Sequence, residues 1–213
     1  MNKNDYQKPD QSNLVREAYG DYSALKNDRL YTIEDYYALP DDVRVELIDG
    51  IFYRTDAPSG IHQFILGELH ILFYKCIQDH NMPCQVLFAP FDVRLDRDDY
   101  TMVQPDLMVF CQDFDLGMRR YEGAPDLVIE ILSPSTRSKD MILKLRKYRQ
   151  ANAREYWIID PENRKIIVHH FEDENYRPQN YTFNDQIPVA IAKGLCRIDF
   201  SEIVRKLEAL QVH

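Results

Sequence analysis

The segment Leu127-Val128-Ile129-Glu130-Ile131-Leu132 is apolar on both faces of an extended chain, apart from one carboxylate. A strand that alternates apolar and polar residues can leave one face in water, whereas a strand apolar on both faces must be covered on both. The chain therefore needs a sheet with layers on either side, the arrangement of an α/β domain. Its 213 residues suffice for one such core.

The neighbouring pattern supplies those layers. Ile61, Phe64, Ile65, Leu69, Phe73 and Ile77 recur at helical spacing and predict a long amphipathic helix over 59–80. Thr32 before Ile33-Glu34-Asp35 reads as an N-cap with an acidic first turn, opening a short helix that stops near Pro40. Residues 45–48 and 51–54 flank Asp49-Gly50, which supplies the positive φ angles of a type I′ turn, so a hairpin is expected. Strands over 85–88, 91–95, 102–110 and 126–132 would form the central sheet. A helix over 138–152, a strand over 155–159, a turn at 160–163 and a strand over 165–171 follow, then edge strands at 181–183 and 188–191 and a closing helix over 200–210. Strand, helix, strand implies a crossover, hence a mixed sheet flanked by helices. Residues 1–28 are polar without periodicity and read as an N-terminal extension to a domain spanning 29–213.

No apolar run approaches the roughly 20 residues that span a bilayer, and the first residues lack the apolar stretch of a signal peptide. The expectation is a cytoplasmic protein with no membrane partner. Cys76, Cys84, Cys111 and Cys196 are widely separated, with no CxxC and no Cys/His pair read at zinc-ligand spacing. They are expected as small buried hydrophobes, not as disulfides or zinc ligands.

The formal charge of −9 argues against a broad nucleic-acid-binding surface. Residues 137–154, however, carry Arg137, Lys139, Lys144, Arg146, Lys147, Arg149 and Arg154 against Asp140 alone, a local +6 that leaves −15 for the remainder. Either this is a solvated helix face or it is a phosphate-binding surface.

Glu130 interrupts a strand otherwise buried on both faces, and an ionised carboxylate there needs a cation, a metal ion or a raised pKa. One reading pairs it with a nearby arginine. The other brings in Asp106, which follows Gln104-Pro105 and opens the apolar run Leu107-Met108-Val109-Phe110. A Pro-Asp pair alone is an ordinary turn. Beside Glu130 on a neighbouring strand, Asp106 offers the hard oxygen ligands that Mg²⁺ accepts from one or two carboxylates. Glu46, between Val45 and Leu47, reads equally as a third carboxylate or as a hairpin surface position. Lys144 stands three residues after Met141 and four before Tyr148, at the edge of the apolar face of its helix, where it either points inward or snorkels. His62, in the first turn of the long helix, is placed for proton transfer. His70 lies too far along that helix to chelate with it, and the adjacent His169 and His170 point to opposite faces of a strand.

With Glu46-Leu47-Ile48-Asp49-Gly50, His62, Val103-Gln104-Pro105-Asp106-Leu107, the run from Pro125-Asp126 through Glu130-Ile131-Leu132-Ser133-Pro134-Ser135-Thr136, and Glu155-Tyr156-Trp157-Ile158-Ile159-Asp160-Pro161 on the page, the chain resembles the Uma-two family of restriction endonucleases, within the PD-(D/E)XK superfamily. The resemblance covers about residues 30–205. It implies a restriction-endonuclease-like core and a DNA endonuclease using Mg²⁺, with Mn²⁺ as substitute. By resemblance Asp106 and Glu130 match the metal-ligating acids, while Glu46 and His62 assist. Leu132 stands where the superfamily has lysine, and Lys144 is its substitute from the following helix. Asp126, at the start of the Glu130 strand, is set aside as a ligand. DNA and a second copy of the chain, as a homodimer, are the expected partners. The alternative is a catalytically inactive nuclease-like scaffold that binds nucleic acid or a protein.

Overall fold

The computed structural model describes residues 29–40, 42–95, 98–111, 114–115, 117–134, 136–173 and 177–211. The extension expected over 1–28 lies outside the described residues.

The chain enters through α1 (Ile33–Tyr37), where the Thr32 hydroxyl accepts from the Asp35 amide and the Asp35 carboxylate accepts from the Thr32 amide. β1 (Val45–Ile48) and β2 (Ile51–Arg54) then form the expected hairpin. Asp49 and Gly50 adopt φ of 51° and 77°, the pair of positive angles that a type I′ turn requires. Gly50 also lies under Leu30, whose Cβ is 2.7 Å from where a Gly50 Cβ would stand.

After α2 (Gly60–Asp79), capped by Ser59, come β3 (Gln85–Phe88), β4 (Asp92–Arg94), β5 (Leu107–Phe110), β6 (Arg120–Glu122) and β7 (Leu127–Ile131). A π-helical turn over Lys139–Lys144 runs on into α3 (Leu145–Gln150). β8 (Glu155–Asp160), β9 (Lys165–His170), β10 (Gln179–Thr182), β11 (Gln186–Pro188), a 3₁₀ turn (Ala190–Ala192), β12 (Arg197–Asp199) and α4 (Phe200–Gln211) complete the described chain.

The central sheet has six strands in the order β10-β9-β8-β7-β5-β3. Its parallel pair, β7 with β8, is joined by the π-turn and α3 crossover, and the other neighbours are antiparallel. The mixed sheet flanked by helices is as expected. β7 lies inside this sheet, every residue buried. Leu127, Ile129 and Ile131 face the layer containing α2 and α4. Val128 and Leu132 face the other layer, with Tyr148 and Tyr156. Glu130 shares the parity of Val128, so its carboxylate enters the side of the sheet covered by the crossover.

Several strands differ from the sequence expectation. The strand expected over 102–110 begins at Leu107: Pro105 has no amide proton to give a ladder, and Met102 and Val103 instead bridge to Leu47 and Val93. The strand expected over 91–95 leaves the central sheet and pairs in parallel with β6. The edge strand expected at 188–191 is not formed: β11, paired with β12, ends at Pro188, and Ala190–Ala192 is a 3₁₀ turn. The cysteines also depart from expectation: the structure pairs Cys84 with Cys111, and Cys76 with Cys196, as disulfides. Cys84 and Cys111 flank opposed residues of β3 and β5, where Gln85 faces Phe110, so antiparallel pairing brings together residues distant in sequence.

The hairpin gives a direct test. Gly50→Ala forces a side chain into a left-handed angle and against Leu30, and should destabilise the fold by about 1–3 kcal/mol. Equilibrium urea unfolding measures this, and an unchanged midpoint would show that the turn carries no such constraint.

Candidate active site

β5 and β7 run antiparallel with Leu107 opposite Ile129, which brings Asp106, at the head of β5, beside Glu130. The contact is specific: Asp106 Oδ2 accepts from the amide of Ile131, the residue after Glu130, at 2.8 Å, and lies 3.0 Å from His62 Nε2. His62 reaches it from the first turn of α2. Burial acts to lower the His62 pKa, but the hydrogen bond and charge of Asp106 outweigh it, and the net shift is upward. His62 Nδ1 is buried without a hydrogen-bond partner.

Glu130 is 3% exposed. Its Oε1 accepts from Lys144 Nζ and from the Tyr148 hydroxyl, each at 2.8 Å. Lys144 Nζ is also 2.7 Å from Glu46 Oε1 and 3.7 Å from Asp140 Oδ1. Lys144 therefore points inward, and Leu132, two residues after Glu130, packs in the core.

Glu46 is likewise buried, which removes the hairpin-surface reading. Its Oε1 accepts from the Gln104 amide at 2.9 Å and its Oε2 from Lys139 Nζ at 2.7 Å. The π-turn accounts for this convergence. A wider turn places residues five apart nearly in line, so Lys139 and Lys144 approach one carboxylate from one side of the crossover.

The electrostatics follow. Burial alone would raise the Glu46 pKa, but Lys139 and Lys144 draw it down to about 2. Glu130 moves the other way: burial, then the charges of Asp140, Asp106 and Glu46, outweigh Lys144 and hold it well above the usual carboxylate range. Lys144 is kept an ammonium, since Glu130, Glu46 and Asp140 overcome its desolvation. Burial also raises Asp140, whose Oδ1 has no hydrogen-bond partner. Asp140 was missed from sequence, where it counted only as the lone acid of a basic run. Its position four residues before Lys144 on one helical face was the available signal.

These groups line an open cavity of about 1000 Å³, together with Tyr36, Arg44, Gln63, Ser133 and Arg137. All five site residues singled out from sequence converge there.

The basic stretch behaves differently from either expectation, because acids on other elements meet it. Arg137 binds Asp160 and Glu162, Arg146 and Lys147 both bind Asp49, and Arg154 binds Asp126 and Glu172. Its positive charge is spent largely on the protein's own carboxylates. Asp126 accepts from the Cys111 amide as well as from Arg154.

Both the sequence and the mixed α/β fold are matched among known proteins. The sequence model described as "Putative restriction endonuclease", Uma2, matches residues 33–199. The chain belongs to the Uma2 family. An uncharacterized protein of Synechocystis sp., slr1290, is 27% identical over 145 residues, covering 67% of this chain and 74% of its own. The crystal structure of a "putative nuclease belonging to DUF820" from Anabaena variabilis superposes with a TM-score of 0.68 at 18% identity, over 81% of this chain and 96% of its own. That likeness establishes the fold.

The two buried glutamates should respond oppositely to pH. A carboxyl whose folded pKa lies below its unfolded value contributes stability above the unfolded pKa, lost as pH falls through the folded one. For Glu46, drawn from 4.5 to about 2, this is about 3 kcal/mol at neutral pH, draining below pH 4.5. Glu130 has the opposite sign: a raised folded pKa means stability falls as pH rises from its unfolded value through its folded one. Without divalent metal at pH 7, Glu46→Gln should lower the unfolding free energy, whereas Glu130→Gln should hold or raise it. A Glu130→Gln variant destabilised as much as Glu46→Gln would make Glu130 a plain structural ion-pair partner.

Proposed function

We propose that the chain is an Mg²⁺-dependent endonuclease, with Mn²⁺ as substitute, that hydrolyses phosphodiester bonds of DNA. The observation that carries this reading is the bond from the Ile131 amide to Asp106, which sets the Asp106 carboxylate against the strand position bearing Glu130. Asp106 takes both of its donors on Oδ2, and both hydrogen bonds to Glu130 fall on Oε1. Asp106 Oδ1 and Glu130 Oε2 thus receive no hydrogen bond from the described residues. Four carboxyl groups (Glu46, Asp106, Glu130, Asp140) face two ammonium groups (Lys139, Lys144) and one imidazole, and Glu130 and Asp140, raised by burial and by their neighbours' charge, are carboxyls that a divalent cation would hold ionised. Among the described residues, no three carboxylate or imidazole ligand atoms of this site gather within 4.8 Å. A cation here rests on Asp106 and Glu130 with water completing its shell, the coordination Mg²⁺ prefers.

When bound, Mg²⁺ supplies Lewis-acid polarisation and a water acidic enough to attack near neutral pH. Lys144, kept charged by three carboxylates, donates hydrogen bonds and stabilises negative charge building on the phosphate; it does not act as a base. Glu46 holds Lys144 and Lys139 in place. His62, with Nε2–H given to Asp106, keeps Nδ1 to accept a proton from water, and its raised pKa suits that role. One site per chain cuts one strand, so double-strand cleavage calls for the homodimer expected above.

A second reading, a nuclease-like scaffold that binds without cutting, draws on the direct contact of Lys144 with both Glu46 and Glu130. The two separate on supercoiled plasmid with Mg²⁺ or Mn²⁺. Nicking should appear with metal, vanish with EDTA, and fall by about 100-fold or more in Glu130→Ala and Lys144→Ala. If Mg²⁺ binds but no DNA or RNA substrate is cut, the scaffold reading replaces the enzymatic one.

A further inference from the structure

At the far end of α2, about 21 Å along the helix from His62 at 1.5 Å per residue, Cys76, His80 and Cys196 bring ligand atoms within 4.8 Å of one another. Among the described residues this is the one group of three acidic, histidine or cysteine side chains that gathers so closely. Cys76 and His80 are four apart at the helix end, a spacing that stacks side chains on one face and that the sequence reading passed over. Cys196 comes from the segment that turns at Lys193 and Gly194, both at positive φ, before entering β12.

We propose that, once an external dithiol has reduced the Cys76–Cys196 disulfide to two thiols and itself become a disulfide, these three residues bind one thiophilic divalent cation, Zn²⁺, the two thiols releasing their protons as they ligate. Two thiolates and an imidazole are the donors that zinc selects over Mg²⁺. A tetrahedral ion with bonds of about 2.3 Å to sulfur and about 2.0 Å to nitrogen needs its ligand atoms about 3.5–3.8 Å apart, within reach of this cluster by side-chain rotation. The imidazole is already oriented: His80 Nδ1 lies 3.0 Å from the Cys76 carbonyl oxygen. An Nδ1–H donated to a backbone carbonyl is the usual support of a histidine that ligates through Nε2. A disulfide alone gives that imidazole nothing to do. Cys196 is buried, Cys76 partly so, and His80 exposed, so the ion enters from the surface and keeps one position for water. It would pin the end of α2 to the β11–β12 layer, remote from the cavity, and does not depend on the nuclease reading.

The test uses the full chain, reduced until four thiols titrate, then given Co²⁺ followed by Zn²⁺. One equivalent of Co²⁺ should bind with thiolate-to-cobalt charge-transfer absorption, and Zn²⁺ should displace it. Zn²⁺ at a hundred times its dissociation constant should raise the unfolding midpoint by about 5–10 °C. Cys76→Ser and Cys196→Ser should each abolish the absorption, and Cys84→Ser should leave it. Because Cys196→Ser touches the core, His80→Ala on an exposed side chain is the safer variant, and should weaken Zn²⁺ binding by about tenfold or more. Absence of the charge-transfer band, its survival without Cys76 and Cys196, unchanged affinity in His80→Ala, or a Cys76–Cys196 bond that opens only on unfolding would each overturn the proposal.

Discussion

The arrangement turns on one buried ammonium. Lys144 Nζ lies 2.7 Å from Glu46 and 2.8 Å from Glu130, and so ties the β1–β2 hairpin, the central strand β7 and the crossover helix to a single point. Lys144 needs at least one of these carboxylates. An uncompensated charge at such depth would cost several kcal/mol, and breaking a buried pair from one side typically costs about 3–5 kcal/mol. The hairpin is held here by this contact, by the Leu47 bridge to Met102, and by Asp49 accepting from Lys147 and Arg146.

The crossover could not serve this point as a regular α-helix. Lys139 and Lys144 would then diverge by more than a third of a turn, and only one could face Glu46. The π-turn removes that divergence, and its stability is shared by tertiary contacts: the Tyr156 hydroxyl donates to the Asp140 carbonyl, and Tyr148 packs on Tyr156 with ring centroids 4.9 Å apart while donating to Glu130. A locally less favourable helix is thus fixed by the side chains it organises, a pattern common where helices carry functional groups.

What the sequence made legible has a physical limit. Glu130 stood out because one acid in a doubly apolar strand violates a simple rule of burial, and Lys144 because helical spacing put it beside Tyr148. The Asp49-Gly50 turn and the Thr32 cap are local chemistry and were readable. Asp140 was readable only as an acid four residues before Lys144; the convergence of Lys139 and Lys144 on Glu46 was not, because it depends on the widened turn, and a π-turn leaves no periodic mark in six residues. The displacement of β4 from the central sheet was equally hidden, since strand propensity does not say which edge a strand joins. The cysteine pairs needed the register of β3 against β5 and the docking of the β11–β12 layer on α2, both long-range facts.

Pairing of the basic stretch changes how nucleic acid would be received. A run of +6 reads from sequence as a solvated helix face or as a phosphate surface, yet Asp49, Asp160, Glu162, Asp126 and Glu172 already hold Arg137, Arg146, Lys147 and Arg154. A DNA backbone approaching that face must exchange places with these carboxylates, not merely release counterions. The more exposed of these pairs, Arg146 with Asp49, Arg137 with Glu162 and Arg154 with Glu172, contribute at most about 1 kcal/mol each, so a phosphate can displace them, whereas Lys147, Asp126 and Asp160 are buried. Each exchange also returns an acid to solvent beside the incoming strand, and the chain's −9 adds long-range repulsion. On the nuclease reading, weak attraction for arbitrary DNA, and strong dependence on the contacts the cavity would make with a substrate, would follow from these same ion pairs.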